Sequence, residues 1–371
     1  MSKHRTSRRG LEILLIALIA LAVVQAACDE SLFNASHVVE ESVSGDWIRV
    51  YFTDPRYPDE EIYRTGGLDE TLATVIGMAE QRIDMAAYDL DLATVTDALI
   101  RAQNAGLQVR VVIESENADE EAIDRLRQRG VRVIEDERTS GLMHNKFVII
   151  DEQWVWTGSW NFTENGTYRN NNHAVLIASA AVAANYAAEF EEMVEGAFGP
   201  TSPAETRNPQ VEIISETEAG EEQRATVETY FAPEDDVADQ IIAEIDAADE
   251  RLRFMAFTFT NEEIAEAIVA RSNAGVTVQG VIEARNAERT YSQYDRLRRA
   301  AHDILQDGNP YIMHHKAMII DEETVILGSF NFTASADRTN DENVLVIHDP
   351  EVAALFVAEF GRVYERARSD Q

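Results

Sequence analysis

The chain has 371 residues, 45% hydrophobic and 27% charged, which excludes an intrinsically disordered protein and allows one large core or two medium ones. Acidic residues outnumber basic ones 67 to 32, a formal charge of -35. Most of such a surface repels polyanions, which counts against a general nucleic-acid binder unless a small basic cleft sits inside the acidic shell, and a single cysteine excludes a disulfide framework or a Cys-based metal site.

Residues 1–28 read as a secretory signal peptide. Lys3, Arg5, Arg8 and Arg9 precede an apolar run, Leu11 to Val24, broken only by Glu12. Gln25-Ala26-Ala27-Cys28 follows, and a lone Cys after two small residues resembles a bacterial lipoprotein site, with Gln25 departing from the usual Leu. The folded part is therefore expected outside the cytoplasm, membrane-anchored (as a lipoprotein lipidated at Cys28 or by an N-terminal anchor) or secreted. Residues 29–45 are polar and acidic and read as a tether.

Folded structure is expected from 46 onward. Trp47 to Phe52 reads as a strand, Leu68 to Arg82 as a helix, Ile83 to Tyr88 as a strand and Ala93 to Ala105 as a helix. A buried strand, Gln108 to Ile113, a helix, Asp119 to Arg129, and a short strand, Val131 to Ile134, come next. Strands over Lys146 to Ile150, Trp154 to Thr157 and Ala174 to Ile177 lead into a long helix, Ala180 to Gly196. Alternating strands and helices predict an α/β sandwich. Residues 199–223, rich in Pro, Ser, Thr and Glu, read as a linker with room for a short strand at Val211 to Ile214.

After the linker the pattern restarts. Arg251 to Phe257 matches Arg82 to Tyr88, Asn273-Ala274-Gly275 matches Asn104-Ala105-Gly106, and Val281-Ile282-Glu283 matches Val112-Ile113-Glu114, all at an offset of 169 residues. The chain is thus two duplicated α/β units, residues 46–198 and 224–371, each a mixed sheet flanked by helices. Two such units are expected to pack about a pseudo-twofold axis, so a monomer suffices for one site.

The repeat peaks in one motif. His144-Asn145-Lys146 runs to Asp151 and, after six residues, to Gly158-Ser159-Trp160-Asn161. His314-His315-Lys316 runs to Asp321 and then to Gly328-Ser329-Phe330-Asn331 with the same spacing, at an offset of 170. His and Lys, two apart at a strand start, leave the same face. Lysine is otherwise nearly absent: besides Lys146 and Lys316 only Lys3 occurs. Across a twofold, two His, two Lys and two Asn would cage an anion with several oxygens, and a phosphodiester fits. One neutral His can attack phosphorus while the other, protonated, releases the leaving alkoxide and then activates water or an alcohol. No cofactor is expected, and no metal-ligand cluster is evident.

The tandem H-x-K-x4-D pattern resembles the phospholipase D superfamily over nearly all of residues 46–366. The resemblance implies His144 and His314 as the catalytic pair, with Lys146, Lys316, Asn161 and Asn331 binding phosphate. Ser159 and Ser329 would join them at the phosphate in support of that site, and Asp151 and Asp321 would count with the catalytic residues, mainly by holding the structure around it. Similar proteins carry an acid after the Asn that bonds the catalytic His. The second half has Glu342; the first has Asn172. Pairing each His with the residue of its own half makes His314, backed by Glu342, the resting acid, and His144, backed by Asn172, the nucleophile. Trp160 and Phe330 are expected to pack under the site, His315 to stand at its mouth, and His37, His302 and His348 to lie on the surface.

The expected substrate is a phospholipid headgroup ester, hydrolysed or transferred. The alternative is an exported nuclease acting on DNA or RNA, and a catalytically silent binding protein is the third reading.

Overall fold

The computed structural model describes residues 37–203, 206–216, 220 and 222–370. The signal segment, Cys28 and the start of the tether lie outside the described residues.

The first half opens with β1 (Val38–Ser42) and β2 (Ile48–Thr53), paired antiparallel with Val38 opposite Thr53. The fold therefore begins inside the stretch read as a tether. β1 is an exposed edge strand held by backbone pairing, and its mostly polar sequence carries no apolar alternation to announce it. α1 (Leu68–Ile76) stops at Gly77, short of the predicted Arg82. β3 (Arg82–Ala87), α2 (Ala93–Asn104), β4 (Gln108–Ile113), α3 (Glu121–Gln128) and β5 (Arg132–Glu135) form a parallel run. β6 (Lys146–Ile150), β7 (Trp154–Gly158), α4 (Glu164–Tyr168), β8 (His173–Ala178) and α5 (Ala180–Val194) complete the half.

The second half starts earlier than predicted. β9 (Gln210–Glu216) lies within the stretch read as linker and pairs with β10 (Glu222–Ala232) along its whole length. Then come α6 (Val237–Ala247), β11 (Arg251–Ala256), α7 (Glu262–Ala274), β12 (Thr277–Ile282) and α8 (Ala284–Ala287). α9 (Tyr294–Ala301), β13 (Ile304–Gln306), β14 (Lys316–Ile320) and β15 (Thr324–Gly328) follow. The chain closes with α10 (Ala334–Arg338), β16 (Glu342–His348) and α11 (Pro350–Ser369).

Both sheets are mixed and eight-stranded with the same order, β1-β2-β8-β7-β6-β3-β4-β5 and β9-β10-β16-β15-β14-β11-β12-β13. Strand alternation divides the core. Val148, Ile150 and Trp156 face outward with α1, α2 and α3, while Phe147, Ile149 and Val155 join a central cluster shared by both halves. That cluster contains Tyr186 and Phe190 of α5 and Phe356 and Phe360 of α11, so the two long helices sit between the sheets. Burial on both faces explains the nearly continuous apolar runs of β6 and β14.

Candidate active site

The two motifs meet at the interface between the halves. His144 N–H donates to the Asp341 carbonyl and Asp341 N–H to the Leu142 carbonyl, at 3.0 and 2.8 Å. The pseudo-symmetric bridge runs from Asn171 N–H to Ile312 and from His314 N–H to Asn171, at 3.0 and 2.8 Å. Each histidine is thus stitched to the segment after the other half's Gly-Ser turn.

This stitching exchanges the expected partners. His144 Nδ1 lies 2.7 Å from Glu342 Oε2, and His314 Nδ1 lies 2.9 Å from Asn172 Oδ1. The pairing within each half is therefore corrected to a pairing across the twofold. The within-half reading failed because sequence proximity places Glu342 near His314 in the chain, whereas the bridge at Asp341 delivers it to His144.

The serines also change role. Ser159 Oγ donates to Asn172 Oδ1 (2.9 Å) and accepts from His173 N–H, while Ser329 Oγ donates to Glu342 Oε2 (2.7 Å) and accepts from Asn343 N–H. Both are fully buried and brace the groups behind the histidines instead of reaching toward a phosphate. Gly158 and Gly328, at φ of 151° and 149°, precede them. A Cβ there would run into the carbonyl oxygens of His173 and Asn343, so the approach to β8 and β16 needs glycine.

Asp151 and Asp321 belong to the far end of the same strands. Asp151 accepts from the N–H groups of Glu80, Gln81 and Arg82 at 2.8–2.9 Å, and Asp321 from those of Asp249, Glu250 and Arg251 at 2.7–2.8 Å. Burial acts to raise each carboxyl, and the three amides overrule it and hold both below the usual range. These residues fasten a hairpin turn to the start of β3 or β11; a place among the catalytic groups is corrected.

The lysines lie beside their histidines, 1% and 2% exposed. Lys146 Nζ donates to the His144 carbonyl (2.6 Å) and stands 4.9 Å above the Tyr88 ring. Lys316 Nζ reaches His314 Nε2 (3.0 Å) and stands 5.0 Å above Phe257. The same rings meet the histidines edge-on, Tyr88 with His144 at 4.8 Å and Phe257 with His314 at 4.6 Å. Sequence reasoning aligned Tyr88 with Phe257 but gave them no part in the site; the signal was an aromatic at the same repeat position.

Burial and the two lysines hold both histidines well below the ordinary imidazole range. Burial lowers Lys146 to about 7 and Lys316 well below its usual value. Burial raises Glu342 to about 7 against the pull of Lys146. An anion entering this cluster would favour the charged lysines and an imidazolium.

Asn161 and Asn331 are part-buried, and their Oδ1 atoms have no hydrogen-bond partner among the described residues. Their chain is fixed by the next repeated residues, which sequence reasoning passed over. Thr163 and Thr333 cap α4 and α10 and donate N–H bonds to the Asn161 and Asn331 carbonyls, while Phe162 and Phe332 bridge to Leu90 and Phe259. Trp160 and Phe330 pack in the outer cores as expected.

Two of the remaining histidines differ from expectation, while His302 is exposed as expected. His315 is fully buried, because alternation puts it opposite His314 on the shared-core face; it meets His173 (Nδ1 to Nδ1, 3.1 Å) and Glu359 (2.8 Å). His37 is buried against Tyr168, and its Nε2 lies 2.9 Å from the Tyr63 carbonyl.

Such a geometry brings two histidines and two lysines together where the halves of a duplicated α/β scaffold meet. The family model described as "Cardiolipin synthase, PLD-like domain" matches residues 72–194 and 241–364, one match in each half. The chain belongs to this phospholipase D-like family and is a phosphodiesterase. It is 37% identical over 134 residues to a phospholipase D of Rickettsia conorii, covering 36% of this chain and 67% of that protein. It is 35% identical over 120 residues to the human mitochondrial cardiolipin hydrolase, covering 32% of this chain and 48% of the other. The phosphatidylserine synthase of Haemophilus influenzae has the same fold, with a TM-score of 0.60 at 14% identity over 92% of this chain and 90% of that one.

Proposed function

We propose that the protein cleaves or transfers phosphatidyl groups, with His144 as nucleophile and His314 as general acid and then base. The observation that carries the assignment is the asymmetric backing of the two rings. When His144 Nε2 bonds to phosphorus the ring becomes cationic, and the Glu342 carboxylate at Nδ1 stabilises it. His314 must instead give up a proton, and a neutral Asn172 amide fixes its tautomer without stabilising the imidazolium. The roles are those expected from the sequence, for the opposite structural reason.

The reaction balances in two steps. His144 Nε2 forms a P–N bond as the P–O bond to the headgroup breaks, and the proton on His314 Nε2 goes to the leaving alkoxide. Neutral His314 then takes a proton from water or an acceptor alcohol, whose oxygen displaces His144 from phosphorus. Lys146, Lys316, Asn161 and Asn331 are assigned to the non-bridging oxygens.

Phospholipid is favoured over nucleic acid by the likeness to a phospholipase D and a cardiolipin hydrolase and by a charge of -35. The order of basic, apolar and small residues in 1–28 supports export and placement near a membrane, with Cys28 as the lipidated residue. The test assays the protein and His144→Ala in parallel on phosphatidylcholine, cardiolipin, single-stranded DNA and RNA, with EDTA present. Lipid turnover that depends on His144 is expected. Cleavage of nucleic acid alone would replace this reading with the nuclease, and no turnover on any substrate would favour a binding protein.

A further inference from the structure

A polar cluster lies on the outer face of the second sheet, away from the motif residues. Glu228 of β10, Glu244 of α6 and His348 of β16 each offer one ligating atom, and all three atoms fall within 4.8 Å of one another. His348 Nε2 is 3.5 Å from Glu228 Oε1, too long for a hydrogen bond of normal strength. It matches the roughly 3.4 Å edge of a tetrahedron built on metal bonds of about 2.0–2.1 Å.

The cluster is braced from behind. Thr324 Oγ1 and His348 Nδ1 are 2.9 Å apart, which turns Nε2 toward the carboxylates. Tyr230 Oη donates to Glu228 Oε2 at 2.6 Å, and Gln210 Nε2 donates to Oε1 at 3.2 Å.

The other half shows what this spot looks like without such a cluster. By strand register and helix alignment, Glu228, Glu244, Thr324 and His348 correspond to Arg49, Val75, Trp154 and Ala178. There Val75 is buried, Trp154 packs on the outer core, and Arg49 pairs with Glu40 at 3.7 Å. Tyr51, at the place of Tyr230, stacks on Trp156 at 5.0 Å. Where the first half has Arg49 and three apolar residues, the second sets one nitrogen and two carboxylate oxygens with a threonine behind the imidazole. An all-carboxylate group, Glu189, Glu192 and Glu234, also gathers by α5, but it offers no nitrogen ligand, and burial raises the Glu189 and Glu234 carboxyls.

We propose that Glu228, Glu244 and His348 bind one divalent transition-metal ion, Zn2+ or a close analogue, which ties α6 to the sheet and plays no part in the phosphodiester reaction. One imidazole and two carboxylates neutralise a dication and leave a position for water, a donor set that suits Zn2+, Mn2+ or Co2+ over Ca2+.

The test uses the full chain stripped with EDTA and titrated with ZnCl2 by calorimetry, with Co2+ as a spectroscopic probe of a nitrogen ligand. One Zn2+ per chain and a rise in Tm on binding are expected for the native sequence. His348→Ala should lose both, Thr324→Val should bind about 10–100-fold more weakly, and Glu234→Gln should bind unchanged. Phosphodiester turnover by His348→Ala at the native rate would show that the fold is intact. Should that variant fail to fold, Glu244→Val, which copies the first half, serves in its place. No stoichiometric binding, equal binding by His348→Ala, or loss in Glu234→Gln would overturn the proposal.

Discussion

The walls of the site invite comparison. On one side Glu342 and Asn343 face His144 and Asn145, and on the other Asn172 and His173 face His314 and His315. The backbone bridges, the bracing serines and the carboxylates beyond them (Glu189 and Glu359) occupy equivalent places. The asymmetry lies in the side chains: carboxylate against amide behind the motif histidines, and an Asn pair against a His pair one layer deeper. Duplication supplies two copies of one arrangement, and a few buried substitutions suffice to give the two histidines different partners.

The largest effects separate the histidines themselves. His144→Ala and His314→Ala should each lower kcat on a phospholipid by roughly 10^3–10^6-fold. With a p-nitrophenyl phosphodiester, whose leaving group needs no proton, His314→Ala should still accumulate phosphoenzyme and His144→Ala should not. Label recovered on His314 would reverse the proposed roles.

Next comes the carboxylate. Glu342→Gln should cost about 10^2–10^3-fold in kcat/KM, the scale of losing one preorganised group at a charge-developing site. Glu342 is raised to about 7, so falling pH through that value protonates it and removes the charge that steadies the His144 cation. The native profile should therefore drop on the acid side near pH 7, and the variant should lose that limb. Asn172→Asp should act in the other direction on its own ring, strengthening the His314 imidazolium, moving the basic limb upward and slowing turnover about 10-fold.

How much of this asymmetry was readable in the chain follows from what each signal encodes. The spacing from His144 to Asn161, repeated from His314 to Asn331, announced the duplication and the meeting of the two motifs, because side-chain alternation and strand length fix where those residues point. Glu342 against Asn172 was visible as a difference, but not its address, since a cross-half contact depends on the bridge between Asp341 and Leu142 and leaves no trace in local spacing. His315 looked like a site residue because it adjoins His314, and alternation sends it to the opposite face. β1 and β9 were missed or shortened because edge strands held by backbone bonds carry little apolar pattern. Thr163 and Thr333 were legible in principle, as repeated caps two residues past each Asn.

The deeper pair gives a smaller effect, on stability. His315 Nε2 donates to Glu359, leaving its Nδ1 to accept from His173. Burial lowers both rings, as do the lysine and arginine charges near them, so the fold prefers them neutral. A depressed folded value means that their contribution is complete above the unfolded imidazole value of about 6.5 and is lost as pH falls through and below it. His315→Ala should cost about 1–3 kcal/mol by leaving His173 and Glu359 without partners. The double variant His173→Asn with His315→Asn, which copies Asn343 and Asn145, should flatten the acid-side fall in Tm. An unchanged fall would place its origin in other groups.

The smallest effect is expected where the halves are alike. Asp151 and Asp321 each gather three amides, at the end of the strand remote from the histidines. Both are held low, so their contribution is present above about 3.9 and is lost as pH falls through the folded value. Asp151→Asn and Asp321→Asn should each cost about 1–2 kcal/mol in denaturant titrations, kept modest by partial exposure to water. Neither should change kcat by more than about 3-fold, because the turn they close lies one strand length from the reacting groups. Equal losses would mark the turn as a shared structural device; a large fall in kcat for one variant alone would carry the functional asymmetry to the far end of the strand and undo the separation between a symmetric frame and an asymmetric site.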